Sequence, residues 1–123
     1  MELSEVEVRE ASRAPSPAVQ LREEASRLRE KLPAGRRLVV LDRTGKGLSS
    51  EALARELDRW RTAAKPVALV IGGSHGLAAD LVQEADLAWS LGPLTLPHEL
   101  ARVVVLEQVY RAWSILRGEP YHK

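Results

Sequence analysis

Two short loops and the end of the chain hold the residue types best suited to chemistry. The apolar run Val67-Ala68-Leu69-Val70-Ile71 leads straight into Gly72-Gly73-Ser74-His75-Gly76, and a second apolar run precedes Leu91-Gly92-Pro93-Leu94-Thr95-Leu96-Pro97-His98. Small residues at these points bring backbone N–H and C=O groups close to a ligand. A loop that opens a helix is also a setting for anion or nucleotide binding. The tail Gly118-Glu119-Pro120-Tyr121-His122-Lys123 keeps an aromatic ring, an imidazole and an ammonium for the chain end. Before it, Glu107 and Arg111 stand four apart in a stretch that is otherwise apolar. An ordinary surface pair at that spacing is worth only about 0.3–0.5 kcal/mol. In apolar surroundings, however, a charge is costly unless it is paired or used.

Several chemistries are excluded. The first loop is not GxGxxG and the chain has no GxxxxGK[ST], so neither a dinucleotide fingerprint nor a P-loop is present. On its own the loop reads equally well as a tight strand-to-helix turn. Thr44-Gly45-Lys46-Gly47 reads as a flexible surface connection rather than a phosphate cradle. His75, His98 and His122 lack metal-ligand spacing, so no metal is expected. No serine sits in a nucleophile elbow. The absence of cysteine removes disulfides, thiolate ligands and a Cys nucleophile. Asp42, at the end of a strand, reads either as a ligand contact or as the cap of the following turn.

The elements that must position these residues follow from periodicity. At 123 residues the chain is read as one domain, residues 1–123, with 45% apolar and 28% charged residues. Leu3, Val6 and Val8 suggest a short strand. Ser16-Pro17 starts a helix whose stripe is Leu21, Ala25, Leu28 and Leu32, ended by Pro33 and Gly35. Leu38 to Leu41 is a buried strand closed by Asp42. Ser49-Ser50-Glu51 opens a second helix, with Leu53, Leu57 and Trp60 inside, stopped by Pro66. Val67 to Ile71 is a strand, Leu77, Leu81, Val82 and Ala85 mark a third helix, and Leu87 to Leu91 is a short strand. Pro97 begins a helix reaching about Arg117. Alternation of apolar strands with helices predicts an α/β fold with a mostly parallel sheet covered on both faces.

The last helix is apolar around nearly its whole circumference, from Leu100 through Val103, Val104, Val105, Leu106, Val109, Tyr110 and Trp113 to Leu116. Such a helix must be buried on more than one side. One side meets the sheet, and a second copy of the chain is the expected cover for the other, which predicts a homodimer. The formal net charge is +1, so any contact with RNA must come from a local patch. Fourteen of the eighteen basic residues are arginines, a bias that genome composition alone can produce. No apolar run reaches the length of a membrane span, and the acidic, alternating N-terminus is unlike a signal peptide. No membrane association and a cytoplasmic location are therefore expected.

Read in order, Leu38 to Asp42, Ile71 to Gly76, Trp89-Ser90-Leu91, Leu94 to His98, Arg102 to Trp113 and Pro120-Tyr121-His122-Lys123 closely resemble the RlmH family. These are SPOUT-superfamily methyltransferases that methylate N3 of a pseudouridine in 23S ribosomal RNA. The resemblance runs from about residue 36 to the end with closely similar spacing, and more loosely from Met1. It implies a C-terminal deep trefoil knot whose backbone holds S-adenosylmethionine, and a homodimer, in agreement with the two-sided last helix. It also implies cofactor contacts at Leu41, Gly72, Gly73, Leu91, Gly92, Pro93, Leu94, Thr95 and Leu96. The family has a further strand, glycine-containing loop and helix before the strand that Met1 to Val8 matches, and the chain is read as short of them.

The implied chemistry is direct attack by N3 on the methyl group of S-adenosylmethionine. Most of the acceleration would come from alignment, aided by a base or by stabilisation of the imide anion. Arg111 is the candidate for that anion or for a phosphate, Tyr121 for stacking on the base, and His122 or His98 for accepting the proton. Without the resemblance, His98 reads as a cap of the last helix and Tyr121 as packing for the tail. An RNA-facing patch is expected from Arg43, Lys46, Arg102, Arg111, Arg117 and Lys123 across the dimer, with 23S ribosomal RNA in the assembled ribosome as partner. The competing readings are a knotted RNA- or ribosome-binding protein without activity, and a SPOUT methyltransferase for a different RNA.

Overall fold

A computed structural model of the chain describes residues 3–5, 16–72 and 77–123. Four strands and four helices alternate along it: β1 (Leu3–Glu5), α1 (Pro17–Lys31), β2 (Arg37–Gly47), α2 (Ser50–Ala63), β3 (Val67–Ile71), α3 (Ala79–Glu84), β4 (Leu87–Ser90) and α4 (His98–Leu116). The strands form one sheet in the order β1-β3-β2-β4, with every pairing parallel. The outer parts of the strand expected over Met1 to Val8 lie outside the described residues.

Alternation along the strands divides the core in two. Val39, Val67 and Trp89 face one side, where Leu53, Ala54, Leu57 and Trp60 of α2 and Val105 and Ala112 of α4 complete a cluster. Leu38, Val40, Ala68 and Val70 face the other side and meet Ala25 and Leu28 of α1 with Leu81 of α3. Both sheet faces are thus covered by helices, which is why the strands read as continuous apolar runs.

Local signals account for most element ends. Ser16 Oγ accepts a hydrogen bond from Val19 N at 3.3 Å, and Ser49 Oγ accepts one from Ala52 N at 3.0 Å, capping α1 and α2. Helix α2 stops at a left-handed Ala64 (φ 56°), two residues before Pro66. Helix α3 is a six-residue helix, shorter than its apolar spacing suggests; Leu77 and Ala85 flank it and still pack on the core.

One expectation is overturned in β2. The strand does not close at Asp42, and Thr44-Gly45-Lys46-Gly47 is not a surface loop. Val39, Val40 and Leu41 pair with Leu87, Ala88 and Trp89; the chain then bulges, and Lys46 and Gly47 pair with Trp89 and Ser90. Trp89 therefore faces β2 twice, at Leu41 and at Lys46. Within the bulge Asp42 Oδ2 accepts from Thr44 N at 3.1 Å and also bonds the Thr44 hydroxyl, so Asp42 caps the turn. Gly45 lets the two backbones meet: a Cβ there would lie 2.5 Å from the Ala88 carbonyl oxygen.

Helix α4 packs with Ala101, Val105 and Ala112 inward. Leu100, Val103, Leu106 and Tyr110 are between 44% and 57% exposed. At ~100° per residue their spacings of three, three and four form a single stripe. Among the described residues, no helix is long and apolar enough to cross a membrane.

The bulge yields a stability prediction. Gly45→Ala should cost about 2 kcal/mol, because the new methyl meets backbone rather than a movable side chain. Gly47→Ala should change little, since a methyl group there would meet nothing within 4 Å among the described residues. Thermal unfolding of the two variants checks this, with the Gly45 variant melting on the order of 10 °C lower.

Candidate active site

The second loop follows β4, and Arg111, Tyr121 and His122 lie toward the end of α4 and beyond it. Gly72 directly follows β3 and is half-buried. Gly73, with Ser74, His75 and Gly76, lies outside the described residues. Leu41 aligns with Ile71 on one side and Trp89 on the other, and packs half-buried against the core together with Ile71 and Leu91. It lies within β2 rather than at its end.

The second loop leaves β4 through Ser90, whose Oγ accepts from Gly92 N at 3.1 Å. That bond holds Gly92 at φ 115°, a conformation that L side chains rarely adopt. Pro93, Leu94 and Thr95 are exposed, Leu94 at 75%, while Leu91 and Leu96 are half-buried. Arg43 reaches from the β2 bulge to this loop, donating from Nη1 to Thr95 Oγ1 at 3.2 Å.

His98 ties the two loops together. Its Nδ1 lies 3.0 Å from the Gly72 carbonyl oxygen. A carbonyl only accepts, so Nδ1 carries the proton and Nε2 keeps the ring's acceptor lone pair. Pro97 occupies the cap position of α4 and no side chain among the described residues caps the helix, so His98 links loops instead of capping.

Arg111, Tyr121 and His122 come together at the other end of α4. Arg111 donates from Nε to Glu107 Oε1 at 2.7 Å and from Nη1 to His122 Nδ1 at 3.1 Å. Tyr121 stands under the guanidinium, 4.9 Å from ring centroid to Cζ, and meets Tyr110 edge-on with centroids 4.7 Å apart. His122 Nε2 donates to Glu51 Oε1 at 2.8 Å. Gln108 Nε2 donates to Glu107 Oε2 at 3.1 Å, and Ser50 Oγ donates to Gln108 Oε1 at 2.7 Å. Ser50 and Glu51 are consecutive in the first turn of α2, so the network closes into a ring through α2, α4 and the tail. The hydrogen bond from His122 holds the Glu51 carboxyl below the usual glutamate range, so it is ionised at neutral pH.

Arginine has no acceptor, so in this arrangement His122 Nδ1 accepts from Arg111 and Nε2 carries the proton that goes to Glu51. Both ring nitrogens are engaged. For His122 to take a proton at Nδ1, Arg111 must first move away.

Sequence reasoning missed Ser50, Glu51 and Gln108. Glu51 and His122 are 71 residues apart, and an acidic residue in the first turn of a helix is common for its dipole alone. The cations expected to face RNA across the dimer each have their own surroundings within the chain. Arg43 bonds Thr95, Arg111 belongs to the tail cluster, and Arg117 pairs with Glu119 at 3.0 Å. Among the described residues no group of three or more His, Asp or Glu side chains is placed to hold a metal ion.

Comparison with known proteins places the chain in a family. A family model described as "Predicted SPOUT methyltransferase" matches residues 1–122. The chain is 45% identical over all 123 residues to a "Ribosomal RNA large subunit methyltransferase H" of Pseudomonas putida, covering 79% of that relative. Proteins of the same name from Pseudomonas aeruginosa and Azotobacter vinelandii are 44% identical over the same extent, with 79% of each covered. With its loops, α4 and tail all inside the matched span, the chain belongs to the RlmH family of SPOUT methyltransferases.

Proposed function

We propose that this chain transfers the methyl group of S-adenosylmethionine to N3 of a pseudouridine in 23S ribosomal RNA, acting on assembled ribosomes. The observation that carries the reading is the arginine held at the end of α4: Arg111 is fixed on two sides by Glu107 and His122, with Tyr121 against its face. The relatives' shared name supports an RNA of the large ribosomal subunit as substrate.

The two loops fit the cofactor by their chemistry. Neither Gly72 to Gly76 nor Leu91 to Pro97 contains lysine or arginine, so they suit adenine and methionine better than a polyphosphate. Half-buried Leu41, Ile71 and Leu91 provide apolar walls, and Gly92 presents bare backbone at a φ that a larger residue would resist. Leu41, Gly72, Gly73 and Leu91 to Leu96 would hold S-adenosylmethionine, which supplies an electrophilic methyl group. The RlmH reading extends to a trefoil knot of the C-terminal half. The tail's return to α2 through His122 and the His98 link to Gly72 are in keeping with it.

For the transfer, the N3 proton must leave as the new bond forms. Arg111, fixed in place, stabilises the charge that develops on the imide. Tyr121, 43% exposed, offers a ring face or edge to the base. Of the two candidate histidines, His98 has its acceptor Nε2 uncommitted among the described residues, whereas the acceptor of His122 is taken by Arg111. That favours His98 for the proton and His122 for placing the arginine.

The apolar stripe of α4 supports a homodimer. Leu100, Val103, Leu106 and Tyr110 share one sector, and an isologous contact would cover it with its own copy. Val103→Glu should convert a dimer of twice the chain mass into monomers in size-exclusion chromatography with light scattering. A wild-type monomer removes the dimer.

The function is tested by radiolabelled methyl transfer to ribosomes from a strain lacking its own enzyme for this site, with mass mapping of the product. Label on a pseudouridine of 23S RNA is expected. Label on another nucleotide replaces the substrate, and absence of cofactor binding in calorimetry at millimolar concentration favours a non-catalytic RNA-binding protein. Arg111→Ala and His122→Ala should each keep cofactor binding and lower kcat by on the order of 100-fold.

A further inference from the structure

Glu51 lies outside both glycine loops and outside the tail, and nothing in the proposed chemistry requires it. Its carboxylate is nonetheless the far end of the chain of bonds that holds Arg111. His122 bridges the two: Nε2–H points at Glu51 Oε1 at 2.8 Å, and Nδ1 receives Arg111 Nη1 at 3.1 Å. Imidazole has two neutral tautomers, and only the one protonated at Nε2 can accept from Arg111 at Nδ1. The other tautomer would set two donors against each other at 3.1 Å. An acceptor at the Glu51 position therefore selects the tautomer that grips the arginine.

We propose that Glu51 is a positioning residue of the methyl transfer: by accepting the Nε2–H of His122 it sets the ring's tautomer, fastens the tail to the first turn of α2, and thereby holds Arg111 and Tyr121 in place. This rests on the methyltransferase reading above. His122 bonds Arg111 of α4 and Glu51 of α2, Glu107 reaches it only through Arg111, and Tyr121 and Lys123 are its neighbours in the tail. The side chain of Glu51 is 56% exposed, so its replacement removes little packing. Helix α2 retains its Ser49 cap and its buried Leu53, Leu57 and Trp60 without it.

A second role for an acidic residue here is interaction with the positive end of α2. Glutamine separates the two. In the Glu51→Gln variant the amide oxygen would still accept from His122, but the charge that favours the helix terminus is gone. Tautomer selection thus predicts that Glu51→Gln behaves like wild type and Glu51→Ala does not. A dipole role predicts that both variants fall together.

The test uses the full chain labelled with ¹⁵N-histidine. Long-range ¹H–¹⁵N spectra report which ring nitrogen is protonated, with His122 assigned by the signal lost in His122→Asn. The wild type and Glu51→Gln are expected to show His122 protonated at Nε2, and Glu51→Ala a mixture of tautomers with a mobile tail. In methyl transfer to ribosomes, Glu51→Ala should lose about tenfold in kcat with KM for the cofactor within about twofold of wild type, and Glu51→Gln should restore it. An unchanged His122 spectrum in Glu51→Ala, or a Glu51→Gln variant as impaired as Glu51→Ala, overturns the proposal. The spectra need no substrate, so the two readings fail separately. An inactive wild type with the expected spectra removes the methyltransferase reading alone, and an active wild type whose His122 ignores Glu51 removes this one alone.

Discussion

The site depends on how closely β2 approaches β4. Both strands are parallel and β2 lies inside the sheet, so its path decides where everything after it begins. By extruding a capped turn and resuming its pairing at Lys46 and Gly47, β2 stays in register with Trp89 and Ser90 and delivers Ser49 and Ser50 beside the carboxyl end of β4. Gly45 makes this possible, since any side chain there would collide with the Ala88 carbonyl. Were β2 to end at Asp42, α2 would start elsewhere, and Ser50 and Glu51 would not meet Gln108 and His122. A backbone contact thus reaches the chemistry through the placement of one helix end.

Much of this was legible in the sequence. Strand β3 spans Val67–Ile71 as read, and α1, α2 and α4 begin within a residue of their expected starts, because serine caps, proline and apolar spacing are local signals. The tail of β2 was not legible. Charged residues between glycines look like a loop, and the reason they form a strand lies in Ala88 and Trp89, far along the chain. Length also misled for α3, where apolar residues on either side of a short helix share its core without belonging to it.

The same division holds at the site. Arg111, Tyr121 and His122 stand out by type at and beyond the end of an apolar helix, but their roles come only from the resemblance to the RlmH family. Their assembly was not legible. Position along α4 gives Glu107 and Arg111 as a pair, but the bond that orients His122 comes from α2. Nor does spacing say that His98 would use its Nδ1–H on Gly72; only the folded loops supply a carbonyl there.

The polar ring and the apolar stripe occupy neighbouring parts of one helix, and each conditions the other. Counting at ~100° per residue, Glu107 and Arg111 fall on the same side of α4 as Leu100, Val103 and Tyr110. A lone arginine or glutamate on such a face would resist burial, because an unpaired charge loses its hydration without recompense. Here Arg111 is bonded to Glu107 and His122, Glu107 also to Gln108, and Gln108 to Ser50, so the polar atoms are largely satisfied before any partner arrives. In the proposed dimer that self-sufficiency lets the face be covered without stranding a charge. The arginine follows the stripe directly along the helix, joined to Tyr110 through the ring of Tyr121. In the proposed dimer a single stretch of sequence would join two copies and present a fixed positive group, provided the tail remains fastened across it.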